Sequence, residues 1–572
     1  MAISPPLTFL VLFPSTFSRR LAVLGVCLLS LSALAAEPER FAHAAVVSQD
    51  KIASKVGADI LRRGGNAVDA SVATAFALAV THPAAGNIGG GGFLVFRSSR
   101  GNTVAYDFRE TAPAKAHAGM FLRDGKYDPD LHHNSHVSVG VPGTVAGLHL
   151  AWREQGRLPW KTLVEPAIAL ARDGFTVSEG LARSLKSALP VLQKHPASLA
   201  QFTRNSVPYE AGDILKQPEL ARTLGRIAAE GPAGFYEGET AALIEKEMKA
   251  HGGLITRDDL KRYRALRRKP IRGVYRGCEI ISMPPSSSGG VALVEMLNVL
   301  EGFDLRGNGA GSATNVHLIV EAMRRAFADR AQHLGDPDFH RAIPIPRLTS
   351  KEYAAALRRT ISPERAFISS PTNFAWARES EQTTHLSVVD SNLNAVALTY
   401  TLEQSYGSGI VVPGAGFLLN NEMGDFNAAP GMTTTNGLIG TPPNLAAPGK
   451  RMLSSMTPTI VARDGNLLMV TGSPGGRTII NTILLTILNV VDFGMDAQQA
   501  NDAARFHHQW LPDRIQFERG GFSTNTVQWL RSRGHTLSEA GSQGAAQIIV
   551  VNGDKLEAGV DRRASDSGAA GW

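Results

Sequence analysis

The sequence predicts a layered α/β protein in which residues before and after Thr383 contribute to one shared sheet system. Three observations carry that prediction. The chain has 572 residues, 43% of them hydrophobic and 19% charged, enough for a large core. Upstream of Thr383, helical apolar periods alternate with Gly- and Pro-rich loops. Downstream, the pattern changes to strand pairs joined by tight turns.

In chain order, Arg19 and Arg20 precede "LAVLGVCLLSLSALAA", which ends with Ala33 and Ala35 at A-x-A spacing. This predicts a secretory signal over residues 1–36, cleaved near Ala35 or Ala36. The apolar run is about 16 residues, short of the ~20 that a spanning helix needs. Cys27 follows Val26 rather than a small residue, which argues against lipid attachment there. Without the leader Cys278 is the only cysteine, expected as a buried structural thiol in a protein with no disulfide. The export route suits the periplasm or the medium.

"KVGADILRRGGNAVDASVATAFALAV" predicts a helix, a Gly64-Gly65 stop and an Ala-rich helix. The Gly-rich stretch that follows leads into two strands around Gly101-Asn102. Residues 141–300 alternate helices and loops, and 315 to about 334 form another amphipathic helix. After Thr383, hairpins are expected in "THLSVVDSNLNAVALTYTL", about Asp464-Gly465 and about Asn552-Gly553. Further helices fall at about 478–491 and 496–504. The Gly/Pro/Thr-rich stretch from Phe426 to Lys450 is too long for an ordinary connection and predicts a lid.

The chemistry centres on "EQTTHLSVVD". As plain structure this is a loop feeding a strand, with Leu386 and Val388 on one face and Ser387 and Val389 on the other. As chemistry, breaking the Gln382–Thr383 bond would give Thr383 its own base. A free α-amine has a pKa of about 7.7–8.0, suited to general-base work near neutrality. The same hydroxyl can make the cut through an ester intermediate. If the hairpin turns within "DSNLN", Thr401 falls opposite or diagonal to Thr383, and Glu403 one step further on that face. High strand propensity alone would also explain "TYT". Gly475 and Gly476 sit where a strand passes into a helix, the construction of an oxyanion hole.

Other chemistries find less support. There is no G-x-S-x-G elbow, and "GNIGGGGF" lacks the Gly-Lys-Ser/Thr of a phosphate loop. The net charge of +7 is spread along the chain, without a nucleic-acid arm. For His132, His133 and His136 in "HHNSH", and His507 and His508 in "FHHQW", no carboxylate or cysteine spacing completes a metal site. They are expected as loop and core histidines.

"QTTHLSVVD", "NNEMGDF", "LSSMTPTI", "GSPGGR" and "RFHHQWLP", preceded by "GNIGGGGF", "DFRETAP" and "MPPSSSGG", resemble the bacterial γ-glutamyltransferases over nearly the whole exported chain. The resemblance implies an α+β fold, the four-layer αββα sandwich of N-terminal-nucleophile hydrolases. It implies autocleavage into a large subunit, 37–382, and a small subunit, 383–572, which stay together. It implies Thr383 as nucleophile and base, Thr401 as its orienting partner, and Gly475 and Gly476 as oxyanion donors. The γ-glutamyl pocket maps to Arg109, Glu403, Glu422, Asp425, Ser454 and Ser455. A γ-glutamyl group carries an α-carboxylate, suited to Arg109 and the two serines, and an α-ammonium, suited to the three acids. The implied donors are glutathione and other γ-glutamyl compounds, and the acceptors are water, amino acids or peptides. No metal, organic cofactor or nucleic acid is expected.

Two positions depart from relatives: Glu403 stands where several members have Asn, and Asn436, in the lid, where a well-known bacterial form has Tyr. A cephalosporin or glutaryl acylase is the nearest rival. A glutaryl group lacks the ammonium and would leave Asp425 desolvated without a partner. An exported binding protein for glutamyl peptides is a second alternative, and it would have no need of Thr383.

Overall fold

The computed structural model describes residues 37–370, 383–432, 434 and 440–572. Gln382 and Asn436, and hence the cleavage bond and the lid contact expected from the sequence, lie outside the described residues.

Among the described residues, fourteen strands form two large sheets. In chain order they are β1 Glu39–Phe41, β2 Ala45–Ser48, β3 Gly91–Arg97, β4 Thr103–Phe108, β5 Leu266–Arg268, β6 Ile271–Tyr275, β7 Cys278–Ser282, β8 Thr384–Val389, β9 Ala395–Thr401, β10 Thr459–Arg463, β11 Asn466–Gly472, β12 Gln547–Asn552, β13 Lys555–Val560 and β14 Gly568–Gly571. One sheet has the order β5-β4-β3-β9-β8-β2-β14, the other β1-β13-β12-β11-β10-β7-β6. Each sheet mixes strands from before and after Thr383, as the sequence pattern predicts. Within each sheet every adjacent pair is antiparallel.

The principal helices are α1 Lys51–Arg62, α2 Ala67–Thr81, α3 Thr144–Gln155, α4 Gly238–Ala250, α5 Gly289–Leu300, α6 Ala313–His333 and α7 Thr478–Val491. The first three cover the outer face of the first sheet, with Leu386, Val388, Val396 and Leu398 in that core. On the opposite face Val389, Ala395 and Ala397 join the core shared with the second sheet and with α5, α6 and α7. The period-2 alternation of β8 therefore feeds two cores at once. The result is helix, sheet, sheet, helix: the αββα sandwich.

Helix α2 is buried at all fifteen positions, which suits its small, mostly apolar composition, and the hydroxyls of Ser71, Thr74 and Thr81 bond back to carbonyls one turn earlier. Asn66 caps it, in a reciprocal pair with Asp69. The β8–β9 turn is tied to that helix, because Asp390 Oδ2 accepts from the Ala67 amide at 3.0 Å. Cys278 is buried and within 3.3 Å of the Arg463 guanidinium, a structural thiol as expected. Among the described residues, no helix is long and apolar enough to cross a membrane.

Candidate active site

The hairpin places the two threonines together. Thr384 pairs with Tyr400, so one step outward Thr383 faces Thr401, and their hydroxyl oxygens are 3.5 Å apart. The Thr401 hydroxyl accepts from the Glu403 amide at 2.9 Å, which fixes its rotamer. Its carbonyl accepts from Asn87 Nδ2 at 2.9 Å. Asn87 Oδ1 in turn accepts from the Gly90 amide and the Thr144 hydroxyl. A Cβ on Gly90 would come within 2.0 Å of the Thr401 carbonyl oxygen. "GNIGGGGF" is thus a close-packed support for the strand that carries Thr401 rather than a ligand loop.

Thr383, Thr401, Arg109, Glu403, Glu422, Asp425, Ser454, Ser455 and Gly476 line one cavity, with Met456 and Ile479 as its apolar wall. Arg109 is fully buried at the end of β4 and donates to both Glu422 and Asp425. Its Nε also donates to the Met452 carbonyl at 3.3 Å, and Glu110 lies 3.7 Å away. Burial opposes the charge on this guanidinium, but the surrounding carboxylates overcome that and raise its pKa. Burial lifts Glu110 to about 7 and Glu422 well above the ordinary carboxylate range, with Arg109 pulling both downward. The pocket therefore holds more carboxylate than its own cation neutralises, a charge pattern that suits an ammonium.

Asp425 has a partner before any substrate arrives. The expectation that a glutaryl substrate would strand it unpaired is corrected: Arg109 already pairs with it. What favours an ammonium is the whole set of acids around Arg109.

Glu403 adopts φ +78, sparsely populated for a residue with a side chain, at the turn where β9 leaves the sheet. Its Oε1 is 3.3 Å from His133 Nδ1. Burial works against protonation of His133, yet the Glu403 carboxylate raises its pKa overall. Gly424 makes room for this pair, since a Cβ there would lie 2.3 Å from His133 Nδ1 and 3.1 Å from Glu403 Oε1. G424A is expected to displace both side chains and to lower kcat/KM for the donor by about 10²-fold. Steady-state kinetics checks this, with circular dichroism confirming an intact fold.

Ser454 and Ser455 are held by "MPPSSSGG". The Ser288 amide and hydroxyl both donate to the Ser454 carbonyl, and buried Arg330 donates to the hydroxyls of Ser288 and Ser455. Gly475 and Gly476 have φ +130 and +52, between β11 and α7. Neither of their amides donates to another group among the described residues. Gly476 lines the cavity with Thr383, whereas Gly475 borders a neighbouring cavity of about 630 Å³. His507 and His508 are buried and hydrogen-bonded to Asn481, Gln509 and Asp513, and His132 to Tyr127 and Met423. These are core histidines, as expected.

The chain matches the gamma-glutamyltranspeptidase family over residues 53–571. It is 48% identical to the glutathione hydrolase proenzyme of Escherichia coli (strain K12) over 541 residues, which covers 94% of this chain and 93% of that one. This chain belongs to the gamma-glutamyltranspeptidase family. As a member it is an enzyme of γ-glutamyl hydrolysis and transfer, with the N-terminal-nucleophile hydrolase fold. A crystal structure of cephalosporin acylase from Bacillus halodurans superposes with a TM-score of 0.82 at 26% identity, over 94% of this chain and 97% of that one. A chain of Helicobacter pylori gamma-glutamyltranspeptidase matches at 46% identity and a TM-score of 0.55, covering 55% of this chain and 91% of its own length.

The supports of the pocket that sequence reading missed are Glu110, Asn87 and Arg330, together with the contact of His133 to Glu403. Glu110 had a local signal, lying next to Arg109 in "DFRETAP". The others act across 125 to 314 residues of chain and have no signature in a local window.

Proposed function

We propose that this chain is an exported glutathione hydrolase and γ-glutamyltransferase that matures by cleavage between Gln382 and Thr383. The observation that carries the reading is Arg109, bound to Glu422 and Asp425 in the cavity that Thr383 lines. A glutamyl α-carboxylate would take over the guanidinium, and its α-ammonium the released acids. One zwitterion thus replaces one set of internal ion pairs, without stranding a buried charge.

In the mature enzyme the Thr383 amine takes the proton from its own Oγ, which attacks the γ-carbonyl carbon. In this reading the Gly475 and Gly476 amides, which donate to no other group among the described residues, receive the developing oxyanion. The C–N bond breaks, the amine returns the proton to the leaving cysteinylglycine nitrogen, and a γ-glutamyl ester on Thr383 remains. Water, or the amine of an amino acid or peptide, then attacks that ester. Mixed strand order in both sheets supports a heterodimer of 37–382 and 383–572 that stays together after the cut. The H. pylori chain, which covers only 55% of this one, is consistent with separate subunits. Residues 1–36 are assigned to a leader, and the periplasm to the product.

Mass spectrometry of the mature protein with glutathione and glycylglycine tests the reading. Glutamate or γ-glutamyl-glycylglycine should appear together with cysteinylglycine. Intact glutathione beside a properly cut chain would instead favour the acylase.

The acid cluster gives a second test. Below about pH 7 Glu110 is held protonated by burial, and Glu422 is shifted the same way, so an incoming ammonium must displace a proton. Inhibition by free glutamate should therefore strengthen as pH rises through about 7, up to roughly tenfold per pH unit below it. Glutarate, which lacks the ammonium, should show no such gain. Equal pH profiles for the two inhibitors would remove the ammonium from the reading. The same shift makes Glu110 a stabilising neutral group at low pH, and that contribution declines between pH 4.5 and about 7 in the unliganded enzyme.

A further inference from the structure

Among the described residues, two groups of side chains able to ligate a metal lie outside the catalytic cavity. His136, in the 3₁₀ turn His136–Ser138, places Nε2 3.0 Å from Glu247 Oε1. Glu247 lies on α4, and His251, one turn further on, has Nδ1 3.2 Å from the same oxygen. The His136 and His251 rings stack, with centroids 4.7 Å apart and planes at 15°. A third imidazole, His195, stands with its centroid 5.9 Å from that of His136. His136 and His251, from segments far apart in sequence, thus meet at one carboxylate.

The spacing suits a small divalent ion. Tetrahedral zinc with ligand bonds of about 2.0–2.1 Å holds its donor atoms about 3.3 Å apart, close to the 3.0 and 3.2 Å found here. Imidazole with carboxylate is a borderline donor set, which favours zinc and its neighbours over calcium or magnesium. Access is open, since the His251 side chain is 53% exposed while Glu247 is only 12% exposed. The buried trio His317, Glu321 and His535 offers an instructive contrast. There Glu321 accepts from Arg324 and Arg325, and His317 spends its nitrogens on His535 and the Ser362 carbonyl. Two guanidiniums against the carboxylate exclude a cation at that place.

We propose that His136, Glu247 and His251 form a binding site for a divalent transition metal of the zinc class, with water completing the coordination. The site would join the end of α4 to the segment that carries His133, the residue that touches Glu403 in the glutamyl pocket. It is independent of the reaction assigned above, and its test does not read turnover.

The experiment is isothermal titration of tag-free mature protein with Zn²⁺, for the unaltered chain and for H251A and E247Q. One saturable equivalent is expected, weakened roughly tenfold or more in either variant. H251A changes a half-exposed side chain and should fold normally, which a thermal melt without metal confirms. Absence of saturable binding would overturn the proposal. So would equal affinity in the unaltered chain and both variants, or loss of binding in H535A with H251A unaffected, because the ion would then sit elsewhere.

Discussion

T383A is expected to remain one uncut chain and to lose glutathione turnover by a factor on the order of 10⁶, the scale seen when a catalytic nucleophile is removed. Two separate steps need the same oxygen. The cut requires an attack on the carbonyl of residue 382, and catalysis requires an attack on the substrate amide. Thr401 sits 3.5 Å from that oxygen and is itself fixed by the Glu403 amide and Asn87, which suits it to orient Thr383 rather than to attack. T383S keeps both the hydroxyl and, after cleavage, the amine. It loses only the β-methyl that limits χ1, and should cleave slowly and turn over measurably. A denaturing gel separates one band from two, and a glutathione assay reads the second step. Cleavage of T383A at the same bond would mean that another group makes the cut, and the assignment of the nucleophile would fail. Expressing residues 37–382 and 383–572 as two chains carrying T383A separates the steps. A complex that assembles but remains inactive places the defect in turnover as well as in maturation.

The sequence made this pair legible because strand pairing is a local rule. Period-2 alternation on both sides of "DSNLN" sets the register, and the register alone brings position 401 opposite 383. The Asp464-Gly465 turn was equally readable: both residues have positive φ, as a tight two-residue hairpin needs. One turn shifts by a residue. Asn552 pairs with Lys555, so the loop is Gly553-Asp554 rather than Asn552-Gly553. The strand gains a pair and glycine still takes the left-handed position. What stayed illegible depends on tertiary approach. The carboxylates beside "HHNSH", Asp128 and Asp130, accept from the Asp130 and Leu131 amides and from Asn134, whereas the one that meets His136, Glu247, arrives on a helix 111 residues later. Likewise Asn87 and Arg330 are unremarkable in their own windows and become supports of Thr401 and Ser455 only in the packed sandwich. Asp425 could be read as an ammonium acceptor, but its resting partner Arg109 lies 316 residues upstream.

That resting pair makes Arg109 the position where stability and specificity are most tightly joined. R109M would leave Glu110, Glu422 and Asp425 buried around an apolar side chain, and breaking a buried ion pair from one side costs about 3–5 kcal/mol. The variant should melt well below the parent, or titrate its acids to neutrality and survive only at low pH. R109K retains a charge but not the planar fork that meets two carboxylates at once. Its fold should be nearly preserved, while the substrate α-carboxylate loses a charged hydrogen bond worth about 1.5–3 kcal/mol. That is roughly a 10- to 150-fold loss of kcat/KM, carried mostly by KM. Adding E422Q to R109M removes one of the orphaned charges and should restore part of the melting temperature without restoring turnover. Rescue of stability alone is the outcome that assigns Arg109 two tasks, neutralising the acids at rest and holding the substrate carboxylate in action. If R109K bound glutamate as tightly as the parent, the carboxylate would have to rest on Ser454 and Ser455 alone, and Arg109 would be a purely structural counter-ion.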